Sequence, residues 1–124
     1  MLGSSEMTAF VGVTDIDQAT NFYRDALGLK VLDAGSGHCV LDADGSMLRL
    51  TLIANLINVD YTVVGWNVAE IAKTCEDLAA RGVVFQRFDG IEQDDSGVWV
   101  APDGDRIAWF LDPDANILSI TQFA

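Results

Sequence analysis

What most constrains this chain is an order of elements that occurs twice. Met7–Val13 reads as a short apolar strand. Asp15–Leu27 follows with apolar residues at Ile16, Ala19, Phe22, Tyr23, Ala26 and Leu27, the i, i+3, i+4 spacing of an amphipathic helix. Thr14 or Asp15 can cap its start, and Gly28 can end it in a left-handed conformation. Strands are expected at Lys30–Ala34, His38–Ala43 and Ser46–Ile53, with Asp44-Gly45 as the tight turn between the last two. The order restarts at Asp60. Tyr61–Trp66 reads as a strand and Ala69–Arg81 as a helix with Ile71, Ala72, Cys75 and Leu78 inward. Gly82 stops that helix, and Val83–Phe88 reads as the next strand. Ile16 and Ile71, like Gly28 and Gly82, hold equivalent places in the two units.

The second unit is the longer one. Asp89–Gly104 is acidic and Gly-containing around a Val98-Trp99-Val100 core, and a strand at Asp105–Leu111 follows. An apolar run (Ile107–Leu111), a Pro/Asp/Asn turn (Asp112–Asn116) and a second apolar run (Ile117–Phe123) then form a closing β-hairpin. The expected organisation is a flexible lead at residues 1–6, a first βαβββ module at 7–54, a linker at 55–59 and a second module at 60–124. At 124 residues this is one domain, long enough to bury roughly two-thirds of its unfolded surface.

Two stretches carry a resemblance. The hairpin turn Asp112-Pro113-Asp114-Ala115-Asn116 resembles the DPDGN turn that closes proteins of the glyoxalase/bleomycin-resistance families, the vicinal oxygen chelate superfamily. The helix end Phe22–Leu29 resembles their FYRDALGL signature. Gly97-Val98-Trp99, Pro102-Asp103-Gly104 and Ile107–Phe110 look like a form common among bacterial members. The resemblance covers Met7–Phe123 and implies an α+β fold: two βαβββ modules forming curved mixed sheets around a cavity, with helices outside.

Enzymes of that superfamily usually hold a divalent metal with His, Gln or Glu from four strands. Carried over from the resemblance, those positions fall on Thr8, Arg49, Val63 and Ser119. None is a competent ligand for a hard or borderline cation, and Arg49 would repel one. A register slip of one residue recovers neither His nor carboxylate. His38, the only histidine, lies outside those positions, and the carboxylates at Asp89–Asp95 and Asp103–Asp105 lack calcium-loop spacing. The expected metal and cofactor content is none.

Seven basic against nineteen acidic residues give a net charge of −12, which repels phosphate backbones and anionic headgroups. Nucleic acid and membrane surfaces are therefore not expected partners. No apolar run approaches the roughly 20 residues that span a bilayer. Residues 1–6 lack the basic and apolar regions of a signal peptide, so the expected location is cytoplasmic. Cys39 and Cys75 fit buried free thiols rather than a disulfide framework or a zinc motif.

Alternation in Ser46–Ile53 puts Leu48, Leu50 and Leu52 on one face and Met47, Arg49 and Thr51 on the other. The same reasoning places Thr8, Phe10, Gly12, Tyr61, Val63, Ile117, Ser119 and Thr121 on the concave side that the resemblance implies. Such a lining suits a small ligand, partly aromatic or anionic, with Arg49 pairing a carboxylate or carbonyl group. The competing reading of Arg49 is an internal ion pair with one of the nineteen acidic residues, since a buried unpaired charge costs several kcal/mol. Trp66, Trp99 and Trp109 read as stacking surfaces or as core or dimer-interface residues, and Trp99 is the candidate lid or gate. The leading expectation is a metal-independent, homodimeric small-molecule binding protein using Arg49, Thr8, Phe10, Met47, Thr51, Tyr61, Val63, Trp99 and Ser119. The alternative is a lyase or isomerase with atypical metal ligands, with Tyr61, His38 and Arg49 as acid–base or electrophilic groups.

Overall fold

The computed structural model describes residues 1–124, and the chain divides into two units, Met1–Ile57 and Asn58–Ala124. In the first unit the sheet contains β1 (Thr8–Val13), β2 (Lys30–Ala34), β3 (His38–Ala43) and β4 (Ser46–Leu52) in the order β1-β4-β3-β2. β1 runs parallel to β4, and the other neighbours are antiparallel. Register partners share a face of a sheet. Val11, Val13, Cys39, Leu41, Leu48 and Leu50 form the buried face. The helix α1 (Ile16–Asn21) packs on this face, contributing Ile16 and Ala19. The opposite face carries Thr8, Phe10, Met47 and Arg49, as the alternation requires.

Asp15 caps α1, its side chain accepting from Gln18 N–H at 2.9 Å. The helix then widens into a π-helical turn over Phe22–Ala26, in which Leu27 N–H reaches back to the Phe22 carbonyl. This turn carries Tyr23, which is fully buried. Gly28, at φ 78°, closes the element while Leu29 N–H reaches the Tyr23 carbonyl at 3.0 Å. Residues 1–6 were expected as a flexible lead; within them, Leu2–Ser4 forms one turn of 3-10 helix.

The second unit repeats the topology as β5 (Val64–Asn67), α2 (Ile71–Ala80), β6 (Trp99–Val100), β7 (Arg106–Leu111) and β8 (Ile117–Gln122), in the order β5-β8-β7-β6. Ile71, Cys75 and Leu78 of α2 are buried, as are Ala108, Phe110, Leu118 and Ile120 of the sheet on which it packs. No side chain of α2 caps its own start. Gln122 of β8 does so instead, its Oε1 accepting from Ile71 N–H at 2.9 Å. Asn58, in the segment expected to be a linker, donates through Nδ2 to the Asp114 carbonyl at 2.8 Å.

Two sequence expectations for this unit need correction. The strand expected at Tyr61–Trp66 begins only at Val64. The strand expected at Val83–Phe88 does not form. Only Phe85 bridges Phe110, and Gln86 N–H donates to the Trp109 carbonyl at 2.8 Å. The reason is competition for one edge: β6 pairs with Arg106 and Ile107, so only the far half of β7 is left for Phe85 and Gln86.

The hairpin between β7 and β8 turns around one buried carboxylate. Asp112 Oδ1 accepts from the Asp114 and Asn116 N–H groups at 2.9 Å, and Oδ2 accepts from Asn116 Nδ2 at 2.8 Å. The turn forces Ala115 to φ 63°, a conformation that costs a residue bearing Cβ about 1 kcal/mol or more. Replacing Ala115 by Gly should therefore raise unfolding stability by about 1 kcal/mol in urea denaturation, despite the greater entropy of the unfolded chain.

Candidate functional site

The second unit contains a pocket of about 450 Å³ lined by Tyr61, Thr62, Phe88, Ile91, Trp99 and Trp109, with Asp60 and Ile117 completing it. Trp109 projects from β7 on the face opposite α2, the face it shares with its register partner Ser119. Trp99 shares that face through its pairing with Ile107. Their ring centroids are 6.0 Å apart with planes inclined by 34°, and Phe88 meets Trp109 edge-on at 5.4 Å. These are favourable aromatic geometries, and they leave ring faces and edges along one wall of the pocket.

Phe88 and Trp99 belong to a segment with little strand structure, and a single amide holds it together. Gln93 Oε1 accepts from Phe88 N–H at 2.8 Å, while its Nε2 donates to the carbonyls of Gln86 and Gly97 at 2.9 Å. Arg87 reinforces the same loop by donating to the Asp95 carbonyl at 2.9 Å. Asp94 Oδ1 accepts from Ser96 and Val98 N–H at 2.9 Å, folding the turn that leads into β6. Gly97 is required at φ 96°, because a Cβ there would lie 2.9 Å from Phe85 Cβ.

Of the expected site residues, Tyr61 and Trp99 line this pocket. Val63 does not; its N–H donates to the Ile117 carbonyl at 2.9 Å. Ser119 is buried beside Gly65, whose glycine is needed there because a Cβ would lie 2.7 Å from Ser119 Oγ. Phe88, Ile91 and Thr62 escaped sequence reasoning. Phe88 had been placed in a strand that does not form, and Ile91 is a lone apolar residue in an acidic run. Thr8, Phe10, Met47, Arg49 and Thr51 share one face of the first unit's sheet. The Gly12 end of that face is covered by Ile53 and Leu56, whose methyl carbons lie 2.6 and 2.9 Å from where a Gly12 Cβ would stand.

The residues at the positions where the resemblance implies a divalent metal do not fit one. Thr8, Arg49, Val63 and Ser119 supply no imidazole or carboxylate, and no three His, Cys, Asp or Glu side chains gather anywhere in the chain. The aromatic pocket offers stacking surfaces and three polar residues, Asp60, Tyr61 and Thr62, without a nucleophile–base pair. A second groove, of about 600 Å³, lies beside α2 and includes Cys75, Glu76 and Arg87. Burial, with a smaller effect from Asp94, pushes the Cys75 thiol up to about 11, so it is not a thiolate at neutral pH.

Replacing Gln93 by Leu should cost about 2–3 kcal/mol in urea denaturation, because three backbone groups lose their partner. The same change should alter tryptophan emission as Trp99 loosens. Both thiols are buried, so 5,5′-dithiobis(2-nitrobenzoic acid) at pH 8 should label neither Cys39 nor Cys75 in the folded protein and both after denaturation.

Comparison with known proteins follows the same lines. Solved structures similar to this chain include a glyoxalase family protein from Enterococcus faecalis, at 17% identity and TM-score 0.74, covering 98% of this chain and 99% of that one. A glyoxalase/bleomycin resistance protein/dioxygenase from Alicyclobacillus acidocaldarius matches at 18% identity and TM-score 0.71, covering 97% and 92%. Lactoylglutathione lyase from Agrobacterium tumefaciens matches at 18% identity and TM-score 0.71, covering 96% and 93%. At these identities the likeness shows the fold. No curated protein matches the sequence. No helix is long and apolar enough to cross a membrane. Residues 7–120 match the sequence pattern of one family, and the chain belongs to it: the Glyoxalase/Bleomycin resistance protein/Dioxygenase superfamily.

Proposed function

We propose that the protein binds a flat, largely apolar small molecule in the aromatic pocket of its second unit and acts by sequestration or sensing, without covalent chemistry. The observation that carries this reading is the Phe88–Trp109–Trp99 wall, three rings in contact along a pocket of ligand size. The pocket's polar groups set its preference. Asp60, with no basic residue beside it in the lining, disfavours an anionic ligand there and leaves neutral or cationic aromatic molecules. Tyr61 and Thr62 supply hydroxyls that fix orientation.

The reading includes a homodimer in the cytoplasm that needs no metal. A lyase related to the Agrobacterium tumefaciens enzyme is the alternative, and the side chains at the metal positions weigh against it. Native mass spectrometry of protein purified without chelator separates the two. A metal-free dimer is expected, and one zinc, nickel, manganese or iron per chain would favour the lyase.

Binding itself is tested with 2-naphthol as probe, followed by quenching of tryptophan emission. Trp99→Ala should weaken binding by about thirtyfold, the loss of about 2 kcal/mol typical of a buried aromatic anchor. Unchanged affinity in the folded variant would remove this pocket as the site.

A further inference from the structure

The first unit carries a second group of polar side chains that the aromatic pocket does not use, and a fault in its sheet brings them together. Val31 of β2 pairs with Leu41, on the face that packs against α1. The next pair is Asp33 with Val40, so Leu32 is an extra residue without a partner. Strict alternation would have put Asp33 on the same side as Val31. The bulge turns it to the other face, the one carrying Arg49. Bulges of this kind re-aim side chains, and here the re-aimed carboxylate meets the only histidine in the chain: His38 Nε2 lies 3.0 Å from Asp33 Oδ2.

The register fixes what surrounds this pair. Asp33, Val40, Arg49 and Phe10 form one row across four strands. His38, Thr51 and Gly12 form the next. His38 and Arg49 therefore stand on diagonal positions, about 7–8 Å apart at Cα, within reach of a long side chain. Arg49 takes part in none of the three ion pairs, Arg24–Asp25, Asp33–His38 and Lys73–Asp77. Thr51 Oγ1 is buried without a hydrogen-bond partner. An ionised Asp33 only accepts, so it holds the proton on His38 Nε2 and leaves Nδ1 directed elsewhere. The Asp33 carboxyl is held below its ordinary range, first by the hydrogen bond from His38 and in small part by the nearby charge of Arg49. Gly35 keeps the imidazole clear: a Cβ there would lie 2.9 Å from His38 Cε1 and 3.2 Å from Nδ1.

We propose that this bulged face is a binding site for a small monocarboxylate, with the Arg49 guanidinium as anchor, the Thr51 hydroxyl as a second donor and the Asp33-held imidazole ring of His38 as a side wall. A carboxylate would give Arg49 the bidentate partner it lacks and Thr51 an acceptor for its unsatisfied hydroxyl. Asp33 is a positioning residue, since it acts through His38. Its residues all belong to the first unit, so the proposal stands whether or not the aromatic pocket binds a ligand.

The chain provides separate reporters for the two. All three tryptophans lie in the second unit, and the single histidine lies in the first. Propionate, with uncharged propionamide as its control, is titrated while the His38 Cε1–H and Cδ2–H signals are followed by NMR at constant ionic strength and pH. Propionate should shift these signals saturably, at least tenfold more tightly than propionamide, and leave tryptophan emission unchanged. Arg49→Gln should erase the difference between the two probes. Gly35→Ala, which displaces the imidazole without touching Arg49, should weaken propionate binding severalfold and move the His38 signals of the free protein. Equal binding of the two probes, no saturable shift, or full propionate affinity in folded Arg49→Gln would each overturn the proposal.

Discussion

Each unit has one helix for two sheet faces, and that shortage is the constraint on which the rest depends. α1 and α2 supply apolar cover for a single face of their four-stranded sheets. Strand alternation then decides everything on the other side. In the first unit Leu48 and Leu50 are buried while Met47 and Arg49 point away. In the second, Phe110 packs inward while Trp109 points away. The face turned away from the helix is where a βαβββ unit has room for chemistry, because only some of its residues, such as Val40 and Ser119, are buried. Both candidate sites lie on such faces.

The two units fill that face differently. The first keeps complete strands and introduces a one-residue bulge, and this yields a polar cluster. The second gives up a strand: Phe85 and Gln86 share the edge of β7 with Trp99 and Val100, and side chains replace the missing ladder. Gln93 acts as a short substitute strand, satisfying an N–H and two carbonyls that would otherwise be left without partners. What results is a hydrogen-bonded segment that sets the rings of Phe88 and Trp99 against Trp109. Loops carry binding residues readily when a scaffold positions them, and here the scaffold includes a single amide.

Side-chain carboxylate and amide groups follow the same logic throughout the second unit. Asp112 folds the closing turn, Asp94 the turn before β6, and Gln122 the start of α2. Each spends a polar side chain on backbone groups at the end of an element, where no regular partner exists. Much of the chain's acidity is therefore exposed charge, but these residues are structural parts. The positions where the resemblance implies a metal carry Thr8, Arg49, Val63 and Ser119, none with an imidazole or carboxylate; of these, Thr8, Arg49 and Ser119 lie on the sheet faces turned away from the helices.

The sequence by itself determined the repeated element order, the helix stops at Gly28 and Gly82, the closing hairpin and the face of every residue in β4. All of these depend on local periodicity or on a backbone conformation that few residues can adopt. It also showed neither histidine nor carboxylate at the four positions where the resemblance implies a metal. Only the tertiary structure decided that Val83–Phe88 forms no strand, since strand pairing depends on which segment reaches an edge first in space. Only the structure could place Asp33 beside His38, because a bulge reverses the alternation from which the sequence is read. The partnership of Gln93 with Phe88 and Gly97 was likewise invisible: a side-chain amide has no periodicity, and its partners are fixed only when the chain has folded around it.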